Sequence, residues 1–327
     1  MLNMKNKILI TGGCGFIGSH LTEYLVQRGH QVTVFDRYNS NNDWGWLENS
    51  IFKKDFNVIL GDIRDYDSVK NAVKGNNVVL HLAALIGIPY SYISPLAYIK
   101  TNVEGTYNVL QSAKELEISK TVITSTSEVY GSAIYTPINE DHPLQPQSPY
   151  SASKIGADNL ALSYYHSFDL PVTTIRPFNT YGPRQSARAI IPTIFSQLIS
   201  SKDISLGNLS TVRDFTFVED LCMAYEILLK NNIFNGGVVN VGSNQDISIS
   251  QLLEKIFKIT NLKKKIVVSE DRIRKNKSEV NHLLCDNKKI LSLTDWKPKI
   301  SLDEGLRKTY SWIEKNKNIY KSNLYNV

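Results

Sequence analysis

Short apolar runs alternate with helix-like patterns over the first half of the chain. The apolar runs predict β-strands at residues 7–11, 31–36, 56–62, 78–83, 121–125 and 172–176. Apolar positions at helical spacing predict helices between them, at residues 16–29, 68–73, 95–117 and 150–168. Strands that alternate with helices form a parallel sheet covered on both faces. We therefore expect an α/β fold built on a doubly wound parallel sheet.

The pattern changes after residue 176. Residues 177–184 are rich in turn-forming types and predict a loop that leaves the sheet. The elements predicted beyond it are strands at residues 204–206, 215–218 and 238–241 and helices at residues 189–201, 218–230, 249–260 and 302–317. We divide the chain into two domains, residues 1–178 and residues 179–327, with segments of the second returning to the first. The smaller α/β second domain would cover the carboxyl edge of the sheet, where ligands bind in such folds.

A glycine-rich turn joins the first predicted strand to the first helix. Gly12, Gly15 and Gly18 are spaced three residues apart, and Phe16 and Ile17 begin the helix. Glycine lets the backbone approach an anion closely, and the free N–H groups of a helix start favour a pyrophosphate. A plain surface turn has the same spacing, but the flanking strand and helix favour a dinucleotide site of the Rossmann type.

Acidic and apolar residues end the next three strands. Asp36 ends the second strand, where a carboxylate accepts hydrogen bonds from the ribose of NAD and repels the 2′-phosphate of NADP. Arg37 follows and leaves NADP open, since an arginine can accept that phosphate. Asp62 and Ile63 end the third strand, where Asp62 either meets the adenine or only forms a turn. The fourth strand ends in residues suited to the close approach of a flat cofactor, Leu82, Ala83 and Ala84.

A polar insertion with two tryptophans separates the second and third strands, at residues 38–47. One interpretation is a loop pinned by buried aromatic side chains. The other is a flap over the nucleotide. The sequence leaves both open.

Composition excludes several classes of protein. The 327 residues carry a mild net charge of +6 and are 42% hydrophobic, which suits a soluble enzyme for an anionic small molecule and argues against a nucleic-acid binder. Cys14, Cys222 and Cys285 have neither disulfide nor metal spacing, as expected in a reducing cytosol. The apolar run near the N-terminus is too short for a signal peptide or a membrane span. We expect a cytoplasmic protein without a metal ion, a membrane anchor or a nucleic-acid partner.

Chemistry concentrates after the fifth strand. Tyr150 and Lys154 are four residues apart on a predicted helix and so share a face. An ammonium group beside a phenol lowers the pKa of the phenol, as a base working at neutral pH requires. The same spacing also occurs by chance in a chain with 17 tyrosines, for example at residues 66–70. Only the later pair has polar strand-end residues, Thr126 and Glu128, at the same edge of the fold, so we predict that Tyr150 and Lys154 are catalytic.

Segments spread along the chain resemble one family. They are residues 11–18, 81–84, 102–106, 126–131, 150–154, 176–182 and 213–218. In them the sequence resembles the extended short-chain dehydrogenase/reductases, specifically the sugar-nucleotide 4,6-dehydratases, epimerases and decarboxylases. The resemblance implies that Thr126 and Tyr150 hold the 4-hydroxyl of the sugar and that Lys154 binds the nicotinamide ribose of NAD.

The resemblance also implies a set of substrate-binding residues, which are Ile88, Asn179, Arg188, Arg213 and Arg274. Asn179 and Arg213 would touch the diphosphate side of the nucleotide, and Arg272 or Arg274 would contact a phosphate. Simpler explanations are a salt bridge from Arg213 to a neighbouring acidic residue and an exposed basic stretch around residues 272–274.

Ser127 and Glu128 help to distinguish the branches of this family. Once C4 of the sugar is a ketone, the C5 proton is acidic, and Glu128 could remove it while water leaves from C6. Glucose-type 4,6-dehydratases carry Asp-Glu at this pair, so Ser127 replaces the residue that protonates the departing hydroxyl. Ser-Glu is shared by UDP-glucuronate decarboxylases and by the N-acetylglucosamine-nucleotide 4,6-dehydratases of the legionaminic acid pathway. The stretches that resemble the second branch are residues 39–47, 84–92, 147–150 and 182–189.

We therefore predict an NAD-dependent 4,6-dehydratase of UDP- or GDP-linked N-acetylglucosamine. This lyase would oxidise C4, eliminate water across C5–C6 and return hydride to C6. The alternatives within the family are a UDP-glucuronate decarboxylase and a sugar-nucleotide 4-epimerase. A cofactor-binding regulatory protein is disfavoured because Tyr150 and Lys154 are both present. The resemblance further implies a homodimer built by the helices at 95–117 and 150–168, with three apolar candidates for the contact, Leu160, Leu162 and Tyr165.

Overall fold

The computed structural model of the protein describes residues 5–273, 276–322 and 324–325. Its strands, numbered along the chain, are Lys7–Thr11 (β1), Gln31–Arg37 (β2), Phe56–Gly61 (β3), Val78–His81 (β4), Lys120–Thr124 (β5), Val172–Pro177 (β6), Asn179–Tyr181 (β7), Ile204–Leu206 (β8), Val212–Phe217 (β9), Val238–Val241 (β10), Asp246–Ser248 (β11) and Ile266–Val268 (β12). Seven of them form one parallel sheet in the order β10, β6, β5, β4, β1, β2, β3. The direction of winding reverses between β1 and β4, which opens a crevice at the carboxyl ends of these strands. The expected doubly wound α/β fold is confirmed.

Helices cover both faces of this sheet, and others pack on the smaller sheets formed after residue 178. Along the chain the α-helices are Phe16–Gln27 (α1), Tyr66–Val73 (α2), Ile88–Ile93 (α3), Pro95–Tyr98 (α4), Gly105–Glu115 (α5), Pro149–Phe168 (α6), Ile190–Ser200 (α7), Val218–Lys230 (α8), Ile249–Thr260 (α9), Lys288–Leu293 (α10) and Leu302–Lys315 (α11). Successive strand residues point to opposite faces, so Ile8 and Ile10 belong to a buried cluster that includes residues of α1 and α8, whereas Leu9 belongs to one that includes residues of α2, α5 and α6. Within the described ranges no helix combines the length and apolar content that crossing a lipid bilayer requires.

The helix expected at residues 95–117 is interrupted. Between α4 and α5 the backbone forms a π-helical segment, Ile99–Glu104. Such segments are rare and frequently occur at functional sites. The interruption places a buried asparagine, Asn102, against the loop that follows β4.

The chain after residue 178 contributes to three sheets. Strand β10 forms the edge of the main sheet beside β6. Strands β11, β9 and β7 form a second sheet, and β12 pairs with β8. The prediction of a loop over residues 177–184 is wrong at Asn179–Tyr181, because this segment pairs in parallel with β9, more than thirty residues further along the chain. The residue types of this segment favour a turn, but its pairing with β9 makes it a strand. The local sequence contains no sign of that pairing.

Candidate active site

The glycine loop lies at the start of α1, at the carboxyl end of β1. A Cβ atom on Gly18 would lie 2.2 Å from the carbonyl oxygen of Gly12, and Gly12 itself has a φ of +73°. Gly15 precedes the helix without a side-chain cap, so the first N–H groups, at Phe16 and Ile17, have no partner within the helix. Only glycine fits this cradle, and its free donors and helix dipole suit a pyrophosphate.

The end of β2 supplies a carboxylate beside this loop. Asp36 accepts hydrogen bonds from the backbone N–H groups of Cys14 and Arg37, both at 2.7 Å. The side chain of Arg37 is exposed. Asp62, at the end of β3, pairs with Arg64, and the bond from that guanidinium holds the pKa of Asp62 below its usual range. These positions fit the adenosine half of a dinucleotide.

The end of β4 packs directly against the same loop. Thr11 shares a 2.7 Å hydrogen bond with Nδ1 of His81, and its hydroxyl accepts from the backbone N–H of Ala83 at 3.2 Å. A Cβ atom on Gly12 would lie 2.8 Å from the nitrogen of Ala83. The segment that follows the strand is half-buried, at Leu82, Ala83 and Ala84. Ile63 is buried against Gly105 on the neighbouring α5.

The insertion with two tryptophans packs against the rest of the fold. Trp46 lies edge-on to Trp312 of α11, with ring centroids 5.3 Å apart, and Trp44 packs against Phe56 of β3 at 6.4 Å. The backbone N–H of Trp46 donates to the carbonyl of Cys14 in the glycine loop at 3.2 Å. Aromatic packing therefore holds this insertion in place. Through the bond to Cys14, the insertion also supports the glycine loop that forms the cofactor cradle.

Local sequence determines where α6 begins. Ser148 caps the helix by accepting a hydrogen bond from the N–H of Ser151 at 3.1 Å, and Pro149 occupies the first helical position. This start places Tyr150 in the first turn, where its side chain is buried. Its ring meets the edge of Tyr98, with centroids 6.2 Å apart.

Tyr150 and Lys154 meet the end of β5. The phenol of Tyr150 lies near the side chain of Thr126, and Nζ of Lys154 donates to the carbonyl of Thr124 at 2.6 Å. Burial raises the pKa of Tyr150 well above its ordinary value, a rise that the nearby Thr126 opposes and the charge of Glu128 adds to. Burial lowers the pKa of Lys154 to about 8. The protein alone thus holds the phenol protonated, and ionising it requires positive charge close by.

A 3₁₀ turn, Ser127–Tyr130, presents the next two candidates. The Thr126 hydroxyl caps this turn by accepting from the N–H of Glu128 at 3.2 Å. Ser127 is buried, whereas the Glu128 side chain is half-exposed. Thr126, Glu128, Tyr150 and Lys154 are therefore gathered at one edge of the sheet, as expected.

Asn102 joins this site through a network that local sequence did not predict. Its amide donates to the carbonyl of Leu85 and to the hydroxyl of Ser153, both at 2.9 Å, and its oxygen accepts from the N–H of Leu85 at 2.8 Å. Asn102 therefore ties the loop after β4 to α6, one residue before Lys154. In the sequence, only the family resemblance of residues 102–106 pointed to a role for this segment.

The predicted substrate residues lie on two sides of the cleft. Ile88 is buried in a cluster with Tyr98 and Tyr150, and the Arg188 guanidinium lies beside Gly87 and Tyr98. Asn179 is on β7 and has a buried Oδ1 without a hydrogen-bond partner among the described residues. An unsatisfied buried acceptor of this kind is available to a ligand.

The structure does not place Arg213 and the basic stretch at residues 272–274 in the same way. Arg213 is buried and lies 3.5 Å from Glu279, an acidic residue far from it in the sequence. The Arg272 guanidinium lies over the ring of Tyr325, 4.7 Å from its centroid. Arg274 lies outside the described residues. The substrate roles of these arginines stay predictions.

Comparisons with known proteins agree with this geometry. A family model described as "GDP-mannose 4,6 dehydratase" matches residues 9–309. The chain is 31% identical to the dTDP-D-glucose 4,6-dehydratase of Dictyostelium discoideum, over 96% of this chain and 83% of that protein. It is 32% identical to the UDP-N-acetyl-alpha-D-glucosaminuronate decarboxylase of Bacillus cytotoxicus, over 96% and 100% of the two chains. The structure of dTDP-glucose 4,6-dehydratase from Bacillus anthracis in complex with NAD superposes with a TM-score of 0.86 at 29% identity, covering 97% and 99% of the two chains.

The fold and the site thus define an NAD-dependent enzyme that acts on sugar nucleotides. The chain belongs to the extended short-chain dehydrogenase/reductase family of sugar-nucleotide 4,6-dehydratases, epimerases and decarboxylases. The expectations of NAD as cofactor and of an enzyme of the 4,6-dehydratase type are confirmed. The cradle formed by Gly12, Gly15 and Gly18 and the carboxylate of Asp36 fit that cofactor.

Proposed function

We propose that this protein is a configuration-retaining 4,6-dehydratase of UDP- or GDP-linked N-acetylglucosamine. The observation that carries the proposal is the carboxylate of Glu128, close enough to the phenol of Tyr150 to affect its pKa. A simple 4-epimerase breaks no C–H bond next to the oxidised carbon and needs no second base. A dehydratase needs one, because a proton must leave C5.

When bound, NAD would accept the hydride from C4 of the sugar and would return it to C6. The chain supplies the proton transfers. Tyr150 takes the proton of the 4-hydroxyl, Thr126 orients that hydroxyl, and Lys154 provides positive charge that favours the phenolate. Glu128 removes the C5 proton and, as its conjugate acid, delivers a proton to the hydroxyl that leaves C6.

The buried hydroxyl of Ser127 occupies the position next to Glu128. A serine is a weak acid and cannot protonate a leaving group unaided at neutral pH. Glu128 therefore handles both the C5 proton and the departing water, with Ser127 or a water molecule as relay. The N-acetylated substrate rests on the resemblance of the sequence to the legionaminic acid branch.

Mass spectrometry of reactions with UDP- and GDP-N-acetylglucosamine tests the proposal. We expect loss of one water from one of the two substrates in the presence of NAD. The resemblance of Ser127 and Glu128 to UDP-glucuronate decarboxylases, and the 32% identity to a decarboxylase of a related sugar, favour one second candidate. Carbon dioxide from UDP-glucuronate, with no dehydration of either N-acetylglucosamine nucleotide, would establish that candidate instead.

We also propose a cytoplasmic homodimer with two domains, residues 1–178 and 179–327. Leu160 and Tyr165, two of the expected contact residues, pack within the subunit, where the ring of Tyr165 lies against Gly236. The exposed apolar residues on the 95–115 helical run are Leu96, Ile99 and Tyr107. We expect light scattering to give a dimer mass that Ile99→Asp with Tyr107→Asp reduces to a monomer mass.

A further inference from the structure

The end of β5 is joined to α6 by three successive rungs. Three side chains spaced one helical turn apart, at positions 150, 154 and 158, each face one of three consecutive residues, 124–126. Tyr150 lies near the side chain of Thr126, Lys154 donates to the carbonyl of Thr124, and Asp158 accepts from the hydroxyl of Ser125. The first two rungs belong to the site already described, whereas the third contains a carboxylate to which the reaction assigns no task.

Asp158 is also held by Arg176, which shares its Oδ2 with Ser125. Arg176 of β6 donates to its Oδ2 from Nε at 3.0 Å, and the hydroxyl of Ser125 donates to the same oxygen at 2.8 Å. Arg176 also donates to the hydroxyl of Tyr130 at 3.0 Å, which in turn donates to Asn240 of β10 at 2.7 Å. The network therefore spans three strands and α6.

This ion pair is almost fully enclosed. The side chains of Asp158 and Arg176 are 4% and 5% exposed, and Oδ1 of Asp158 has no hydrogen-bond partner among the described residues. A buried ion pair adds little net stability, because desolvation of both charges offsets their attraction. Its position one turn beyond Lys154 indicates a different benefit.

We propose that Asp158 is a positioning residue that fixes Lys154 against β5 and keeps its amine protonated for the Tyr150 base. The inference rests on the proposed role of Tyr150. Burial lowers the pKa of Lys154, and the carboxylate of Asp158 opposes that change. Burial raises the pKa of Asp158, and the Arg176 guanidinium and the Ser125 hydroxyl oppose that rise. The ion pair with Arg176, at 3.0 Å, and the bond from Ser125 favour the carboxylate form.

Other titratable groups face the pair but do not replace this carboxylate. His81 of β4 is buried near Lys154, and burial lowers its pKa to about 3, so it is neutral. Beyond burial, Glu128, Tyr98 and, as the smallest of these contributions, Asp158 itself raise the pKa of Tyr150. Asp158 therefore favours the Tyr150 base only through the charge of Lys154. Asp158 is therefore the anionic group that acts on Lys154 from its own helix.

Lysine NMR tests the inference without a sugar substrate. We would titrate ¹³Cε-labelled lysines in the NAD-loaded protein and assign Lys154 by the loss of its signal in Lys154→Arg. In Asp158→Asn the midpoint of Lys154 should fall by about one pH unit. Lys120 is an internal control, because burial also lowers its pKa to about 8 but no carboxylate acts on it, and its midpoint should not move.

Two further variants keep the test decisive. Asp158→Leu with Arg176→Met removes both charges together, which buried sites tolerate better than the loss of one partner, and it should shift Lys154 in the same direction. Ser125→Ala removes a hydrogen bond but keeps the charge, so it should leave the Lys154 midpoint in place. An unchanged Lys154 midpoint in both Asp158 variants, or an equal shift in Ser125→Ala, would overturn the proposal.

Kinetics supply a second readout. The alkaline limb of the kcat profile should move to lower pH in Asp158→Asn, by the same amount as the Lys154 midpoint, while KM changes little. A purely structural role would lower kcat at every pH without moving the limb. If the wild-type protein turned over no sugar nucleotide, the proposed function would fail, yet the lysine titration would still decide the role of Asp158.

Discussion

Lys120 begins β5 at the amino edge of the main sheet, whereas Lys154 lies against the carboxyl end of the same strand. Burial lowers the pKa of each amine to about 8. Lys120 donates to the carbonyl of Asn231 at 3.0 Å and to the side-chain oxygen of Asn235 at 2.6 Å. Lys154 donates to the carbonyl of Thr124 and stands on α6 one helical turn from both Tyr150 and Asp158.

The two lysines differ in what surrounds the amine. At the amino edge Lys120 bonds to two asparagine oxygens in the connection between α8 and β10. At the carboxyl edge Lys154 lies on the helix that carries Tyr150, and Asn179 has a buried Oδ1 without a hydrogen-bond partner among the described residues, which is available to a ligand. The hydroxyl of Thr121, next to Lys120, also lacks a partner among the described residues. The neighbouring catalytic candidates, and not the unsatisfied atoms, therefore distinguish the two ends.

The largest effect is expected from removing the base. Tyr150→Phe should lower kcat about 1,000-fold, because general-base catalysis contributes that order of rate. NAD affinity should stay within a few-fold. The matched control is Tyr66→Phe, since Tyr66 has a lysine at the same spacing but is bonded to Glu115 on the surface. Equal losses in the two variants, measured by steady-state kinetics, would break the assignment of chemistry to the carboxyl edge.

Glu128→Gln should have the next largest effect. Water elimination should slow about 100-fold, because the amide cannot take the C5 proton. The measurement is loss of water by mass spectrometry, together with exchange of the C5 hydrogen in D₂O. Elimination at the wild-type rate would remove Glu128 from the mechanism.

Lys120→Met should act on stability and spare activity. It leaves the oxygens of Asn231 and Asn235 without their donor, which should lower the free energy of unfolding by about 2 kcal/mol, while kcat stays within twofold. The pKa of Lys120 is lowered from 10.5 to about 8, so the unfolded state binds more protons between these values. The advantage of the wild type over Lys120→Met should therefore grow as pH rises from 8 to 10.5. Denaturant titrations at several pH values measure it, and a large loss of kcat would contradict the comparison.

Asp36→Asn should change cofactor choice by the smallest amount. The amide keeps an acceptor for the N–H of Cys14 but no longer repels a 2′-phosphate. Discrimination of NAD against NADP should fall about tenfold. Calorimetric binding of both cofactors measures this ratio. An unchanged ratio would assign the selectivity to another residue, such as Arg37.

Sequence patterns predicted the parts of this fold that depend on local periodicity. The strand–glycine loop–helix unit lies where expected, and the caps at Ser148 and Pro149 explain why α6 starts one residue before Tyr150. The other predicted helices and strands have boundaries that differ by a few residues, whereas the short elements α3, α10, β11 and β12 were not predicted.

Long-range pairings could not be predicted in this way. Strand β7 at Asn179–Tyr181 exists because β9 pairs with it. The π-helical segment Ile99–Glu104 has the same apolar pattern as an α-helix, so the sequence does not reveal that its backbone departs from α-helical geometry around Asn102. The Asp158–Arg176 pair joins two residues that are eighteen positions apart, on α6 and β6. Its partners share neither a motif nor a periodic pattern, and only the folded chain brings them together.

The measurement that tests the central claim most directly follows a label from C4. The NAD-loaded protein would be incubated with UDP- or GDP-N-acetylglucosamine carrying deuterium at C4, and the product examined by mass spectrometry and NMR. The account predicts a product that has lost one water and carries the deuterium at C6. Deuterium retained at C4 of a product with unchanged mass would show an epimerase and contradict it.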